Sequence, residues 1–490
     1  MWFADDGTGG ETIEKMRNWW DCVAKNGPKF GYFPKASKSW LIVKDHKQKE
    51  AEREFKGTGG QITTKGQRHL GAAIGSQEFR AEYIESHLKK WISGVEKLSK
   101  FALTQPHAAY SAFVRRWQTK WTFILRTVPD LGEVLKPLEK SIREKFLPAL
   151  LGKSINDHER RLFSLPARFG GLGIPNPCEL CSTSFNNSKQ LTEALVSLIM
   201  KQERRLNPDE MHKLQNAILV SQKEEANKHY EKKAAEIRAA SNRTLQRAID
   251  LASIKGASTW LTARPLLKFS TVLPKADFRD ALYLRYGWEP RGLPAICGCG
   301  SSFNVEHAMQ CMTGGYRGLM HNEVMSCFYR FMKEAGYKDV TWEPLLQPLH
   351  GEEKAFQFQT ANKEEEARSD IRVTGFWSRL RRAFFDITAF SPYAPSNQQK
   401  PLSLFRKSEK RKYREYGERI REVEHGDFTP LVFSTSGGMG PQAEMVIKRI
   451  GMQLAEQQNL TPSVTISWIR CRYPLQSYDR LWSACVALGR

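Results

Sequence analysis

The chain has 490 residues and a net charge of +22, from 75 Lys+Arg against 53 Asp+Glu; it exceeds what one hydrophobic core serves and should divide into about two to four domains. Hydrophobic residues at 40% and aromatics at 11% exclude a disordered chain, and no apolar run reaches the ~18 residues that cross a bilayer. Nine scattered cysteines, an odd number, argue against a disulfide framework.

No charged-then-apolar leader opens the chain, which predicts a nuclear or cytoplasmic protein and not a secreted one. The basic field selects polyanions. Neighbouring cation–aromatic pairs (Arg116-Trp117, Lys120-Trp121, Arg285-Tyr286, Lys412-Tyr413) favour nucleic acid, on which aromatics stack and cations track phosphates.

In chain order, Phe3-Ala4-Asp5-Asp6 reads as a strand and a tight acidic turn, suited to a hard cation or simply to water. Thr12 to Val23 has helical apolar spacing and ends at Gly27-Pro28; Trp40–Val43 reads as a strand, and QRHLGAAIG (67–75) as a short apolar segment closed by glycine. Residues 76–160 read as helices, and FSLPARFGGLGIPNP (163–177) as a turn system. Residues 185–255 read as long charged helix, a solvated spacer more than a binding arm. From 320 onward helices and strands alternate: helix 321–335, strands 339–343, 370–373 and 383–390, helix 402–424, strand 429–435, helix 441–457 and strand 463–468, an α/β pattern with a mixed central sheet.

Two constellations carry chemistry. Cys297, Cys299, His307 and Cys311 form C-x-C, a seven-residue gap, then H-x₃-C. His307 and Cys311 share a helical face, and three thiolates with one imidazole make a closed tetrahedral Zn²⁺ site; the alternative is buried free cysteines. Gly298 and Gly300 are expected to allow the tight bite between the first two ligands. In the last domain Asp370 and Asp386 sit on consecutive predicted strands and can meet at a sheet edge to hold Mg²⁺ (or Mn²⁺) against a phosphodiester. The segment between them, GFWSRLRR, supplies Arg379, Arg381 and Arg382 on a basic, aromatic hairpin tip. On helix 402–424, Lys412 and Glu409 fall within the apolar stripe of Leu402, Phe405, Tyr416, Ile420 and Val423, whereas Lys407 and Lys410 point elsewhere and suit nucleic-acid contact. An inward lysine suits stabilisation of phosphoryl charge, or snorkels past a core edge.

These segments in this order resemble a known family. Phe3-Ala4-Asp5-Asp6 resembles the Y/F-x-D-D motif of reverse transcriptases, GYFPKASKSW the segment after it with Lys38 at its lysine, and QRHLGAAIG the primer-grip hairpin. The Cys/His cluster, His321-Asn322-Glu323, Asp370, Asp386 and Lys412-Tyr413 resemble the zinc knuckle and the restriction-enzyme-like PD-(D/E)XK endonuclease of site-specific non-LTR retrotransposons. The resemblance implies an α+β multidomain protein: partial palm 1–75, helical thumb 76–180, helical linker 181–290, zinc knuckle 291–320 and endonuclease domain 321–490. It implies metal binding by Asp370 and Asp386, charge stabilisation by Lys412, and further roles for Tyr413, Glu323 and Glu343. Ser369 stands at the family's usual proline, and Asp386-Ile387-Thr388 lacks the lysine of D/E-x-K, which the family tends to supply from the following helix. A third polymerase aspartate would lie upstream of Met1, so Asp5, Asp6 and Lys38 are expected to be polymerase remnants without activity from this chain alone. The implied partners are a DNA target and element RNA. The expected activity is Mg²⁺-dependent DNA nicking; the alternative is a catalytically dead nucleic-acid-binding fragment.

Overall fold

The computed structural model describes the chain except for residues 1, 4–5, 202–206, 268–270, 312, 314–315, 351–359, 393, 395–396, 398–400 and 473–490. The protein is mixed α+β, about 59% helical, with a mixed four-stranded sheet. It forms two compact units: residues 1–97, 116–145 and 175–228 make the first, and residues 98–115, 146–174 and 229–490 the second. The helical stretch 76–180 contributes to both units, as does 181–290, because the chain passes between them several times.

The first unit holds three two-stranded pairs. β1 (Trp2–Phe3) and β2 (Asp6–Gly7) are antiparallel, with Phe3 opposite Asp6. β3 (Trp40–Ile42) pairs in parallel with β4 (Gln61–Thr63). The predicted segment 67–75 is a second hairpin, β5 (Gly66–His69) and β6 (Ala72–Gly75), turned by Leu70 and Gly71 in left-handed backbone. The helix Ile13–Asn26 forms as its apolar spacing predicts and ends at Gly27. The helix Gln48–Glu54 has no sequence signal: it is polar apart from Ala51, its one buried residue.

The long helix Gln77–Ala102 contributes Ile84, Leu88, Trp91 and Val95 to the core of the first unit. Its Gly94 lies under the indole of Trp117, and a Cβ there would fall 1.6 Å from the ring. Gly to Ala in a helix interior ordinarily stabilises by about 1 kcal/mol. Here the sign reverses: Gly94→Ala should destabilise the first unit by about 1–3 kcal/mol in chemical denaturation, as overpacking does; a stabilised variant would contradict this packing.

In the second unit the turn system 163–174 is clamped by a buried guanidinium. Arg285 donates to Ser258 Oγ at 2.7 Å, to the Ala167 carbonyl at 2.9 Å and to the Gly171 carbonyl at 3.3 Å. Tyr110 adds a bond to the Leu172 carbonyl at 2.8 Å. Arg285 and Tyr286, read in sequence as a nucleic-acid pair, are thus core residues, as is Trp121 of the Lys120-Trp121 pair in the first unit.

The mixed sheet has the order β10-β9-β8-β7, with β7 (Thr341–Trp342), β8 (Ile371–Thr374), β9 (Arg382–Phe390) and β10 (Asp427–Ser434). β7, β8 and β9 are successively antiparallel; β9 and β10 are parallel, which requires the intervening helix as a crossover. β9 is apolar almost throughout because both its faces are covered. Ala383, Phe385 and Ile387 pack with Val324, Phe328 and Phe331 of the helix Tyr316–Glu334 and with Val446 and Ile450 of the helix Pro441–Gln458. Phe384, on the opposite face, packs with Leu346, Ile420 and Phe428. The predicted strand 463–468 is instead helical, within residues 462–472. Its β-branched run suggests a strand, but Pro462 opens the helix, and Thr465, Ile469 and Cys471 are the buried positions, the first two four apart.

Candidate active site

Asp386 lies mid-β9 on the Phe384 face, and alternation along the strand fixes that side. Asp370 directly precedes β8; its amide donates to the Phe385 carbonyl at 3.1 Å, which sets it across from the Phe385–Asp386 step. β9 runs past the start of β8, and the Asp370 carboxylate accepts the Ile387 amide that would otherwise lack a ladder partner. The sheet therefore brings the two predicted aspartates together.

Lys412 ends the helix Pro401–Lys412, just before a π-helical turn, Tyr413–Gly417, that continues into the helix Glu418–Glu422. Such a widened turn shifts the side-chain register. Lys412 points inward, with only 15% of its side chain exposed; its Nζ lies 3.1 Å from Asp386 Oδ2 and 3.2 Å from Glu415 Oε2. It also stands 5.2 Å from the centre of the Tyr416 ring. His321, on the helix Tyr316–Glu334, places Nε2 3.1 Å from Asp370 Oδ2. His321, Glu415 and Tyr416 are members the site residues named from sequence omit. Glu415 and Tyr416 lie three and four residues beyond Lys412, the spacing that shares one helical face, whereas His321 has no local spacing signal.

Burial is the largest influence on both aspartates and raises both carboxyls; for Asp370 the charge of Asp386 adds to it, carrying the group to about 7. Burial pulls the Lys412 ammonium down, but Asp386 outweighs it and holds the group above its usual value. Burial lowers His321, so its ring is neutral at neutral pH. Asp386 Oδ2 is buried with no hydrogen bond, although it forms the ion pair with Lys412. A buried carboxylate oxygen held only by an ammonium is suited to a cation.

Glu343 closes β7 in left-handed backbone and donates its amide to the Asp370 carbonyl at 2.9 Å; its charge raises Asp370 further. Glu323 lies two residues beyond His321 and so about 200° round the same helix, which separates it from the aspartates. Tyr413 is 39% exposed with its ring edge-on to Phe428 at 5.5 Å; Tyr416, not Tyr413, faces the Lys412–Asp386 pair. Glu409 is inward as expected, but for a structural reason: its Oε1 accepts the Gln442 amide at 2.9 Å and caps the helix Pro441–Gln458.

The hairpin between β8 and β9 corrects one expectation. Phe376 is fully buried in the core and Trp377 donates to Thr429 Oγ1 at 3.0 Å, so the aromatics are not a stacking tip. Arg379, Arg381 and Arg382 are exposed, but Arg381 is paired with Asp427 at 3.3 Å. Lys407 and Lys410 are exposed on the outer helix face, as the stripe predicts, whereas Leu402 of that stripe is itself 53% exposed. In the first unit Asp6 and Lys38 are exposed; Asp5 lies outside the described residues.

The Cys/His cluster converges: the ligand atoms of Cys297, Cys299, His307 and Cys311 all lie within 4.8 Å of one another. Cys297 and Cys311 sulfurs are 3.7 Å apart, and Cys299 Sγ is 3.3 Å from His307 Nε2. Tetrahedral zinc with ~2.3 Å bonds to sulfur needs edges of about 3.5–3.8 Å, which the Cys297–Cys311 edge meets, so three thiolates and one imidazole this close could hold that ion. Hydrogen bonds from the Ser301 side chain and backbone lower the Cys299 thiol to about 6, favouring the ligating thiolate. The knuckle turns at Gly300, whose φ of +85° needs glycine; Gly298, expected to share that role, has open space around it and no such φ. Asn304 caps the short helix Val305–Gln310 by accepting the His307 amide at 2.7 Å, which aims His307 at the sulfurs. Phe303 and Met320 pack behind the knuckle with Leu284 and Ala389, so it is seated on the end of β9. Among the described residues this is the one convergent group of three or more such ligands. No helix among the described residues is long and apolar enough to cross a membrane. No protein-family model matches the chain, and no curated protein matches it.

Proposed function

We propose that the second unit is a metal-dependent DNA-nicking endonuclease of PD-(D/E)XK type, within a non-LTR retrotransposon protein. One observation carries the reading: Lys412 reaches Asp386 at 3.1 Å from the helix, beside Asp370 on the neighbouring strand. A divalent ion, Mg²⁺ or Mn²⁺, would supply Lewis acidity and a more acidic bound water. Asp370 and Asp386 would hold it, with Glu343 nearest to add a further oxygen. Lys412 would exchange its partner Asp386 for a non-bridging phosphate oxygen and offset charge as it develops. The zinc knuckle seats the end of β9. The exposed arginines and lysines serve a DNA target and element RNA, and Asp5, Asp6 and Lys38 belong to a reverse-transcriptase-like segment.

A second reading, a non-catalytic nucleic-acid binder, draws on the same ion pair: Asp386 is engaged by Lys412 and the carboxylates form no convergent three-ligand group. Nicking of supercoiled plasmid in Mg²⁺ separates the two. Wild type should convert plasmid to open circle, and Asp370→Ala and Asp386→Ala should not, while all three shift DNA equally in gels. Binding without cleavage by wild type would favour the binder.

A further inference from the structure

The two oxygens of Asp370 have different surroundings. Oδ2 accepts the Ile387 amide at 2.5 Å and meets His321 Nε2 at 3.1 Å. Oδ1 takes no hydrogen bond among the described residues. An ionised carboxylate oxygen offers about two acceptor directions, so two donors fill Oδ2. An ionised Asp370 only accepts, which assigns the His321 proton to Nε2.

We infer that His321 is a positioning residue: together with the Ile387 amide it fixes the plane of the Asp370 carboxylate and leaves Oδ1 as the single oxygen presented to a divalent cation. The inference rests on the nuclease reading and adds to it a group that reaches the metal only through Asp370. The two holds on Oδ2 come from different elements. The amide belongs to β9, and the imidazole comes from a helix anchored on the opposite sheet face by Val324, Met325 and Phe328. Neither hold alone stops the carboxylate turning about its Cβ–Cγ bond; both together do. Held this way, the ligand needs no reorientation when the ion arrives, and outer-sphere partners of this kind typically change metal affinity or activity about 10–100-fold when removed.

The test titrates Mn²⁺ into the zinc-loaded full chain and follows free Mn²⁺ by electron paramagnetic resonance, with melting temperature and plasmid nicking measured on the same samples. His321→Ala should weaken Mn²⁺ binding about 10–100-fold and shift the Mg²⁺ dependence of nicking to higher concentration. His321→Gln, whose amide nitrogen can stand near Nε2, should recover most of the loss. Wild-type Mn²⁺ affinity in His321→Ala would overturn the inference, as would a His321→Gln protein as weak as the alanine variant at an equal melting temperature. A wild-type chain that nicks DNA with His321→Ala unchanged would overturn the positioning role alone. A wild-type chain that neither binds Mn²⁺ nor nicks DNA would overturn the nuclease reading with it.

Discussion

Asp370→Asn is expected to abolish Mg²⁺-dependent nicking while raising the melting temperature of the metal-free protein at pH 8. The two effects have one cause. Burial, and after it the charge of Asp386, holds the Asp370 carboxyl near 7 in the fold; an unfolded aspartate titrates near 3.9. The folded chain therefore keeps a proton that the unfolded chain has released. That contribution to stability is complete below about pH 4 and is lost as pH rises to about 7. Above that the ionised group costs the fold on the order of a few kcal/mol, and asparagine removes the charge while its oxygen can still accept the Ile387 amide. Melting curves of wild type should fall across pH 4 to 7 more steeply than those of Asp370→Asn, and Mg²⁺ should raise wild type alone at pH 8. A variant that loses activity and stability together at pH 8 would show damage to the fold and not removal of a strained charge.

Cys297→Ser is expected to eliminate bound zinc and to collapse the thermal stability of the second unit. Cys297 and Cys311 are buried beside Phe303 and Met320, and little else in this small cluster holds the knuckle against Leu284 and Ala389. Structural zinc in comparable small sites is worth about 10–16 kcal/mol of folding energy, far above the few kcal/mol that five packed side chains supply here. Elemental analysis should find one zinc per wild-type chain and none in the variant. Chelation of wild type should lower its melting temperature by a large step and blunt nicking without removing any proposed catalytic group. Zinc-free wild-type protein with unchanged stability would contradict this, as would a Cys297–Cys311 disulfide seen by mass; the sulfurs at 3.7 Å are free thiols in the structure.

What the sequence disclosed and what it hid divide along one physical line. Periodicity within a segment was legible. The 3.6-residue stripe turned Lys412 and Glu409 inward and Lys407 and Lys410 outward, and the apolar runs gave β8, β9 and β10. The spacing of Cys297, Cys299, His307 and Cys311 gave a convergent donor set. Pairings between distant segments were not legible. Nothing local to His321 signals that it meets a residue 49 positions later, and nothing in Arg419 announces a fully buried guanidinium that binds the Asn362 and Gln347 carbonyls at 2.7 Å each. Tyr416 faces Lys412, as its place in the same stripe predicts. Composition misled in one respect: Arg285-Tyr286, a cation–aromatic neighbour pair that suggested nucleic acid, is a core clamp, because a guanidinium that satisfies backbone carbonyls packs well beside a buried ring.

The central claim is that Asp386 and Lys412 act on one phosphate as a unit, and a double-mutant cycle on plasmid nicking tests it most directly. Asp386→Asn and Lys412→Met should each slow nicking by about 10²–10³-fold or more, and the double variant should be no slower than the slower single one, as residues of one catalytic unit behave. Wild-type nicking by Lys412→Met, or two losses that multiply in the double variant, would contradict the account.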